Sequence, residues 1–354
     1  MSDRVTESIV GCLLGTMVGD ALGLPYEGLS GERIQQFVLL VQDHNFICGK
    51  GAISDDTEVA CMVAQSLIVS GGEEKTFLTA FAWRLRFWLL GLPVSISLAT
   101  LAAITRLWLG ISPHRSGVDS AANEPATRSA IIGVCHGSQP QQMLSLVKAS
   151  TKITHSDPKA EYGAIAVAVA ANLAAHQSSV SPEDYYQSLQ SCLDTEAEEF
   201  LSLIRLVCES VERKETGAVF AHRIGNGKSI SSYTYVTIPV VLQIWLRYQH
   251  DYFGGIKEII SLGGDTDTTA AILGGIIGAR VGKAGIPRRW IKHIWDFPRS
   301  PQWIEQLGIR LAKTCTQQVK QPALPLAIYL LPLRNLLFLA IALVHNVRRL
   351  LPPY

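Results

Sequence analysis

Along this chain apolar residues recur at mixed three- and four-residue spacing, the period of a helix with one buried face. They do so over residues 5–23, 57–70, 77–91, 96–109, 160–176, 183–211 and 237–249. No stretch alternates apolar and polar positions convincingly, as a half-buried strand would. Breaks fall at glycine and proline, as at Gly71-Gly72, Gly91-Leu92-Pro93 and Ser112-Pro113. The segments 112–125 and 223–232 predict the longest ordered loops. Nothing repeats at solenoid period and no low-complexity linker intervenes, so the pattern predicts one all-α domain over residues 1–320.

Two of these helices carry an unusual stripe. Gly11, Gly15, Gly19 and Gly23 recur every four residues, and so do Gly274, Gly278 and Gly282. Glycine inside a helix costs roughly 1 kcal/mol relative to alanine, so the stripes need a compensating contact. Close backbone approach between the two helices supplies one. That packing would bring the segment Asp20–Glu27 beside residues 263–268.

Residues 321–354 stand apart as a hydrophobic tail. LPLAIYLLPL and LLFLAIALV are separated by Arg334-Asn335 and followed by Arg348-Arg349. The length suits a membrane span, but a central arginine with Pro325 and Pro332 does not. Two readings stand: a helix that covers an apolar face of the domain or of a second copy, and a membrane-associating segment over 324–350.

Composition narrows the function classes. A formal net charge of +1 with no long basic run gives no support to nucleic-acid binding. The seven cysteines are scattered and never in CxxC spacing, which points away from disulfides and zinc and toward the cytoplasm. The first ten residues include Asp3 and Glu7 and lack the basic flank and apolar run of an export signal. The oligomeric state is not legible.

The chemistry lies in two acidic clusters, Ser54-Asp55-Asp56-Thr57 and Gly263-Gly264-Asp265-Thr266-Asp267-Thr268. Each opens an apolar helical run. The first alone is also what a capped helix start looks like. In the second, two glycines permit a tight turn, and Asp265, Asp267 and the Thr268 hydroxyl can face one point. Together the clusters supply carboxylates and hydroxyls, an oxygen set suited to hard cations such as Mg²⁺, Mn²⁺ or Ca²⁺.

In this order the chain resembles the ADP-ribosylglycohydrolase family. The likeness is carried by Gly11–Gly15 with Gly19-Asp20-Ala21-Leu22-Gly23 and Glu27, by Ser54-Asp55-Asp56-Thr57, and by Thr154-His155-Ser156-Asp157-Pro158. Gly225-Asn226-Gly227 with Thr237-Ile238-Pro239, and Leu262–Ile272, complete it. The resemblance implies an all-α, orthogonally packed fold and a binuclear Mg²⁺ or Mn²⁺ centre on Ser54, Asp55, Asp56, Asp265, Asp267 and Thr268. It implies hydrolysis of the bond between ADP-ribose and an acceptor, on protein arginine or serine or in a small conjugate. Asp55 and Asp56 would take part in the catalysis, with Glu27 as acid/base or water-positioning group and Asp20 in support of the cations. From the sequence alone, Glu27 is equally a solvated loop residue and Asp20 a core polar group paired elsewhere.

His155, Asn123, Gly225 and Gly227 are the implied substrate contacts. Read from the sequence alone, His155 is equally a cap or a structural hydrogen bond, and Gly225–Gly227 an ordinary turn. One stretch departs from the family: Ala122-Asn123-Glu124-Pro125-Ala126-Thr127-Arg128 keeps Asn123 and Arg128 but replaces the glycines of its Gly-Asn-Gly loop. A carboxylate there repels a diphosphate unless it faces solvent or binds another group. A binder without hydrolase activity, or a hydrolase of another ligand on the same fold, is the alternative.

Overall fold

The structure is a computed structural model that describes residues 2–35, 42–225 and 229–348. The described residues form helices and loops, with isolated bridges but no strand. Nine helices carry the architecture: α1 (Ser2–Gly23), α2 (Asp55–Ser70), α3 (Glu74–Leu90), α4 (Leu98–Trp108), α5 (Pro158–His176), α6 (Thr234–Arg247), α7 (Thr266–Gly285), α8 (Pro301–Gln317) and α9 (Leu331–Arg348). Their starts are set by side chains that take up free backbone N–H groups. Ser54 accepts from the Asp56 amide, Ser97 from Thr100 and Asp157 from Lys159, the last with Pro158 as first helical residue.

One expected helix is two. The span 183–211 divides into Pro182–Gln190 and Glu198–Glu212, with a short 3-10 turn at Thr195–Ala197. Asp194 causes the break: its side chain accepts from the Glu196 amide and from the Tyr162 hydroxyl, fixing a new start. Apolar spacing continues across the turn and hides it.

The two glycine stripes meet at the centre of the domain. α1 and α7 run antiparallel, and a methyl added at Gly11, Gly15, Gly19 or Gly23 would overlap the backbone carbonyl of Gly278, Gly274, Ala270 or Thr266 respectively. The stripes therefore exist because two backbones touch with no side chain between them. From Ser8 to Gly23 α1 is buried, despite being long and apolar enough to span a membrane. The register also sets the end of α1, with Asp20, beside the start of α7, with Asp267.

The tail docks on the domain. Residues 319–327 cross α2 and α8, where Gln65 exchanges two hydrogen bonds with the Leu324 backbone and Trp303 donates to the Pro325 carbonyl. In α9 the polar positions Arg334, Asn335 and His345 face inward beside Leu331 and Phe338. Arg334 meets Asp296 at 2.6 Å and the Ile53 carbonyl at 2.5 Å, Asn335 donates to the Gly91 carbonyl, and His345 contacts the Pro25 carbonyl. Phe338 packs on Phe46, with ring centroids 5.3 Å apart. The residues that interrupt the apolar run are the ones that hold the helix down.

Candidate active site

The turn Gly263-Gly264 joins three parts of the chain. Both glycines have positive φ, +72° and +87°, and a side chain on either would strike backbone. The Gly264 amide donates to the Leu29 carbonyl and the Gly28 amide to the Gly264 carbonyl, each at 2.8 Å. On the other side the Ile230 amide donates to the Gly263 carbonyl and the Asp265 amide to the Ile230 carbonyl. The acidic loop around Glu27, the loop at 230–232 and the start of α7 are thereby locked together.

These elements and the start of α2 enclose a cavity of about 510 Å³, a usual size for a small-molecule site. Its walls include Glu27, Asp55, Asp56, Glu124, Asp265 and Asp267, together with Asn123 and Thr268, and among the described residues no lysine, arginine or histidine. Burial, the largest cause, pushes the carboxyls of Asp55, Asp56, Asp265 and Asp267 above their usual range. Carboxylate neighbours push the same way: Asp56 on Asp55, Asp20 on Asp56, Glu124 on Asp265 and Glu27 on Asp267. Asn123 restrains Asp265 by donating to it at 2.7 Å.

Asp20 stands directly behind. It is buried and accepts from the Ser54 amide at 3.0 Å, from the Thr57 amide at 3.2 Å and from the Thr57 hydroxyl. Burial raises it to about 7, with those same donors opposing. Next along α2, Glu58 anchors the helix in the core: Arg299 meets it at 2.5 Å and the Trp88 indole donates at 2.6 Å. Burial pushes Glu58 up, but Arg299, Arg334 and Trp88 outweigh it and hold the carboxyl below its usual range.

The wall fits hard divalent cations in its donor set: four aspartates and a threonine hydroxyl, with charge that no described side chain in the wall neutralises. The buried Oδ1 of Asp267 has no hydrogen-bond partner. Among the described residues no three of these side chains are drawn into one ready-made coordination sphere. They ring the cavity instead.

Of the residues singled out in the sequence, Glu27, Asp55, Asp56, Asn123, Asp265, Asp267 and Thr268 share this wall. Ser54 does not line it; its hydroxyl caps α2, accepting from the Asp56 amide at 3.2 Å. His155 is also kept off the wall, because Glu124 is interposed and meets its Nε2 at 2.8 Å. The His155 Nδ1 lies 2.8 Å from the Thr154 hydroxyl, which accepts in turn from Arg128. Arg128 is thus spent on Ser150 and Thr154 in the interior and does not face a ligand.

Gly225 ends a helix in a positive-φ turn away from the wall, and Gly227 lies outside the described residues. Ser95, Ser97, Ser231 and Ser232 line the cavity without any local signal in the sequence. Burial alone would push Glu124 up, but the hydrogen bond and charge of His155, with the Ser97 hydroxyl, outweigh it and bring the carboxyl to about 2. The described wall is thus an acidic pocket.

The sequence signature of the ADP-ribosylglycohydrolase family matches residues 1–320. An uncharacterized protein of Archaeoglobus fulgidus is 31% identical over 323 residues, covering 89% of this chain and 99% of that one. ADP-ribosylhydrolase ARH3 of Homo sapiens is 25% identical, covering 79% of this chain and 87% of its own. The ADP-ribosyl-[dinitrogen reductase] glycohydrolase of Rhodospirillum rubrum is 25% identical, with 82% and 91% covered. An ADP-ribosylglycohydrolase-related protein complex has the same fold, with a TM-score of 0.68 over 88% of this chain at 23% identity. The chain belongs to the ADP-ribosylglycohydrolase family and is an enzyme of glycohydrolase type.

Proposed function

We propose that the chain hydrolyses the glycosidic bond between ADP-ribose and an acceptor with the help of two divalent cations, Mg²⁺ or Mn²⁺. The carrying observation is the cavity itself: Asp55, Asp56, Asp265, Asp267 and Thr268 from two distant clusters line one wall, which among the described residues has no basic side chain. Those residues would hold the cations, and the Ser54 hydroxyl at the same helix start would join them. Such cations would hold ribose hydroxyls, lower the pKa of an attacking water and stabilise charge in the transition state.

The chain's own groups divide the remaining work. Asp20 fixes the backbone of Ser54 and Thr57, so that Asp55 and Asp56 keep their aim. Asn123 orients Asp265 through a 2.7 Å hydrogen bond. Glu27, on the loop clamped by Gly264, takes a proton from the attacking water or positions that water against the anomeric carbon. The substrate is an ADP-ribosylated protein or a small ADP-ribose conjugate. The seven free cysteines suit action in the reducing cytoplasm.

Glu124 favours one variant of this reading. An ionised carboxylate in the wall disfavours a diphosphate nearby, so a conjugate that keeps its diphosphate outside the cavity would be preferred. The test is ADP-ribose release from arginine- and serine-modified protein and from O-acetyl-ADP-ribose, in Mg²⁺, Mn²⁺ or EDTA, with Asp265→Ala and Glu27→Gln alongside. Metal-dependent release lost in Asp265→Ala is expected. Release that EDTA leaves untouched, or none from any substrate, would falsify the reading.

A further inference from the structure

α9 is amphipathic in the wrong sense for a helix facing water. Its inward stripe holds Arg334, Asn335 and His345, all hydrogen-bonded, while Leu333, Leu336, Leu343 and Val344 point outward, Leu336 and Val344 at 66% and 70% exposure. A surface helix normally reverses this arrangement. The helix is long and apolar enough to cross a membrane, but three buried polar anchors lay it along the domain.

The outward apolar surface continues beyond α9. The Leu331 side chain lies against Gly91 at the end of α3, and α3 presents Trp83, Phe87 and Leu90 at helical spacing on its outer side. Beyond the turn, Leu92 and Leu98 are 70% and 84% exposed, and Trp108 and Leu109 close α4. A cavity of about 300 Å³ opens among Trp83, Phe87, Leu324 and Ile328, and the Nε of Arg84 in its wall has no hydrogen-bond partner. Singly exposed apolar residues are ordinary, but a contiguous patch on three elements marks an interaction surface.

Charge decides the occupant. Residues 75–118, which carry α4 and nearly all of α3, contain no aspartate or glutamate but five lysines and arginines. Residues 306–354 contain none either, with six lysines and arginines, of which Arg334 is buried against Asp296 and Lys320 is paired with Glu73. Of the acids that flank these spans in sequence, Glu73 and Glu74 sit at the far end of α3, where Glu73 pairs with Lys320. Asp119 and Glu305 adjoin the other ends, and Glu305 pairs with Lys283. A second copy seated by two-fold symmetry would set this basic face against itself. A water-facing role leaves the leucines unexplained.

We infer that the face formed by α3, α4 and α9 docks on an anionic lipid bilayer, lying in its interface rather than spanning it. Leucines and tryptophans enter the headgroup boundary, and the basic side chains meet lipid phosphates. The inference does not rest on the reaction proposed above.

The test is co-sedimentation of the full chain with vesicles of phosphatidylcholine alone and of phosphatidylcholine with phosphatidylglycerol, beside analytical ultracentrifugation without lipid. Binding to the phosphatidylglycerol vesicles is expected, weakened by salt and reduced at least about tenfold by Leu336→Asp with Leu343→Asp. Trp83→Ser with Phe87→Ser, on a different helix, should lower it similarly, and thermal melts establish that each variant is folded. Three results overturn the inference: no binding to either vesicle, equal binding to both, or a lipid-free dimer that the same substitutions abolish.

Discussion

Glu124 shows how one residue can alter a site without touching its acidic ligands. It takes the place of a glycine in the family's loop, and its carboxylate engages a buried imidazole instead of solvent. The Arg128–Thr154–His155–Glu124 chain converts positions that looked ligand-facing into internal support for the wall. Glu124→Ala leaves the His155 Nε2 without an acceptor in the interior. It should cost roughly 1–3 kcal/mol in urea unfolding, the usual penalty for an orphaned buried donor. Sequence pointed to Asp265 and Asp267 because their chemistry is local, and to Asn123 through the family resemblance; all three line the cavity. It could not carry Ser95 or Ser231, since an isolated serine in a loop has no pattern to distinguish it.

At the scale of elements, two contacts hold the site in place. The seam between α1 and α7 brings Asp20 beside Asp267, and it depends on bare backbone. Gly15→Ala should destabilise the fold by roughly 3 kcal/mol or more in thermal or denaturant melts, because the clash is with a carbonyl that cannot swing away. The second contact is Arg334, which ties α9 to Asp296 and the Ile53 carbonyl just ahead of the first acidic cluster. Removing it strands Asp296 in the interior, and Arg334→Leu should cost about 3–5 kcal/mol. The same variant should free α9, seen as faster amide exchange over residues 331–348. Glycine spacing made the first contact readable. The second was not, because Arg334 lies 38 residues from its partner and reads locally as a flaw in an apolar run.

Across the whole molecule, the acidic cavity makes stability depend on pH and, under the proposed function, on cations. Asp20 and the four cavity aspartates all have folded pKa values raised above the unfolded ones. The native chain therefore binds more protons, and stability falls as pH rises through that range. For Asp20 the penalty is full above about 7 and is relieved progressively as pH falls toward 3.8. Without divalent cations, the melting temperature should rise as pH is lowered from 8 to 6. Added Mg²⁺ or Mn²⁺ should raise it most at pH 8, where the carboxylates are free to bind. Scanning calorimetry with EDTA as control checks both trends; a metal response that is the same at pH 6 and pH 8 would count against carboxylate ligation.

The sequence by itself determined the all-α architecture, the two glycine-striped helices and the two acidic clusters. Each follows from spacing along one segment, where backbone geometry converts a period into a face. Tertiary structure alone decided that His155 faces Glu124 rather than the cavity, that Ser54 caps α2, and that the tail turns its polar residues inward and its leucines out. Those outcomes depend on which partner satisfies a buried polar group, and the partners are brought together only when distant segments pack.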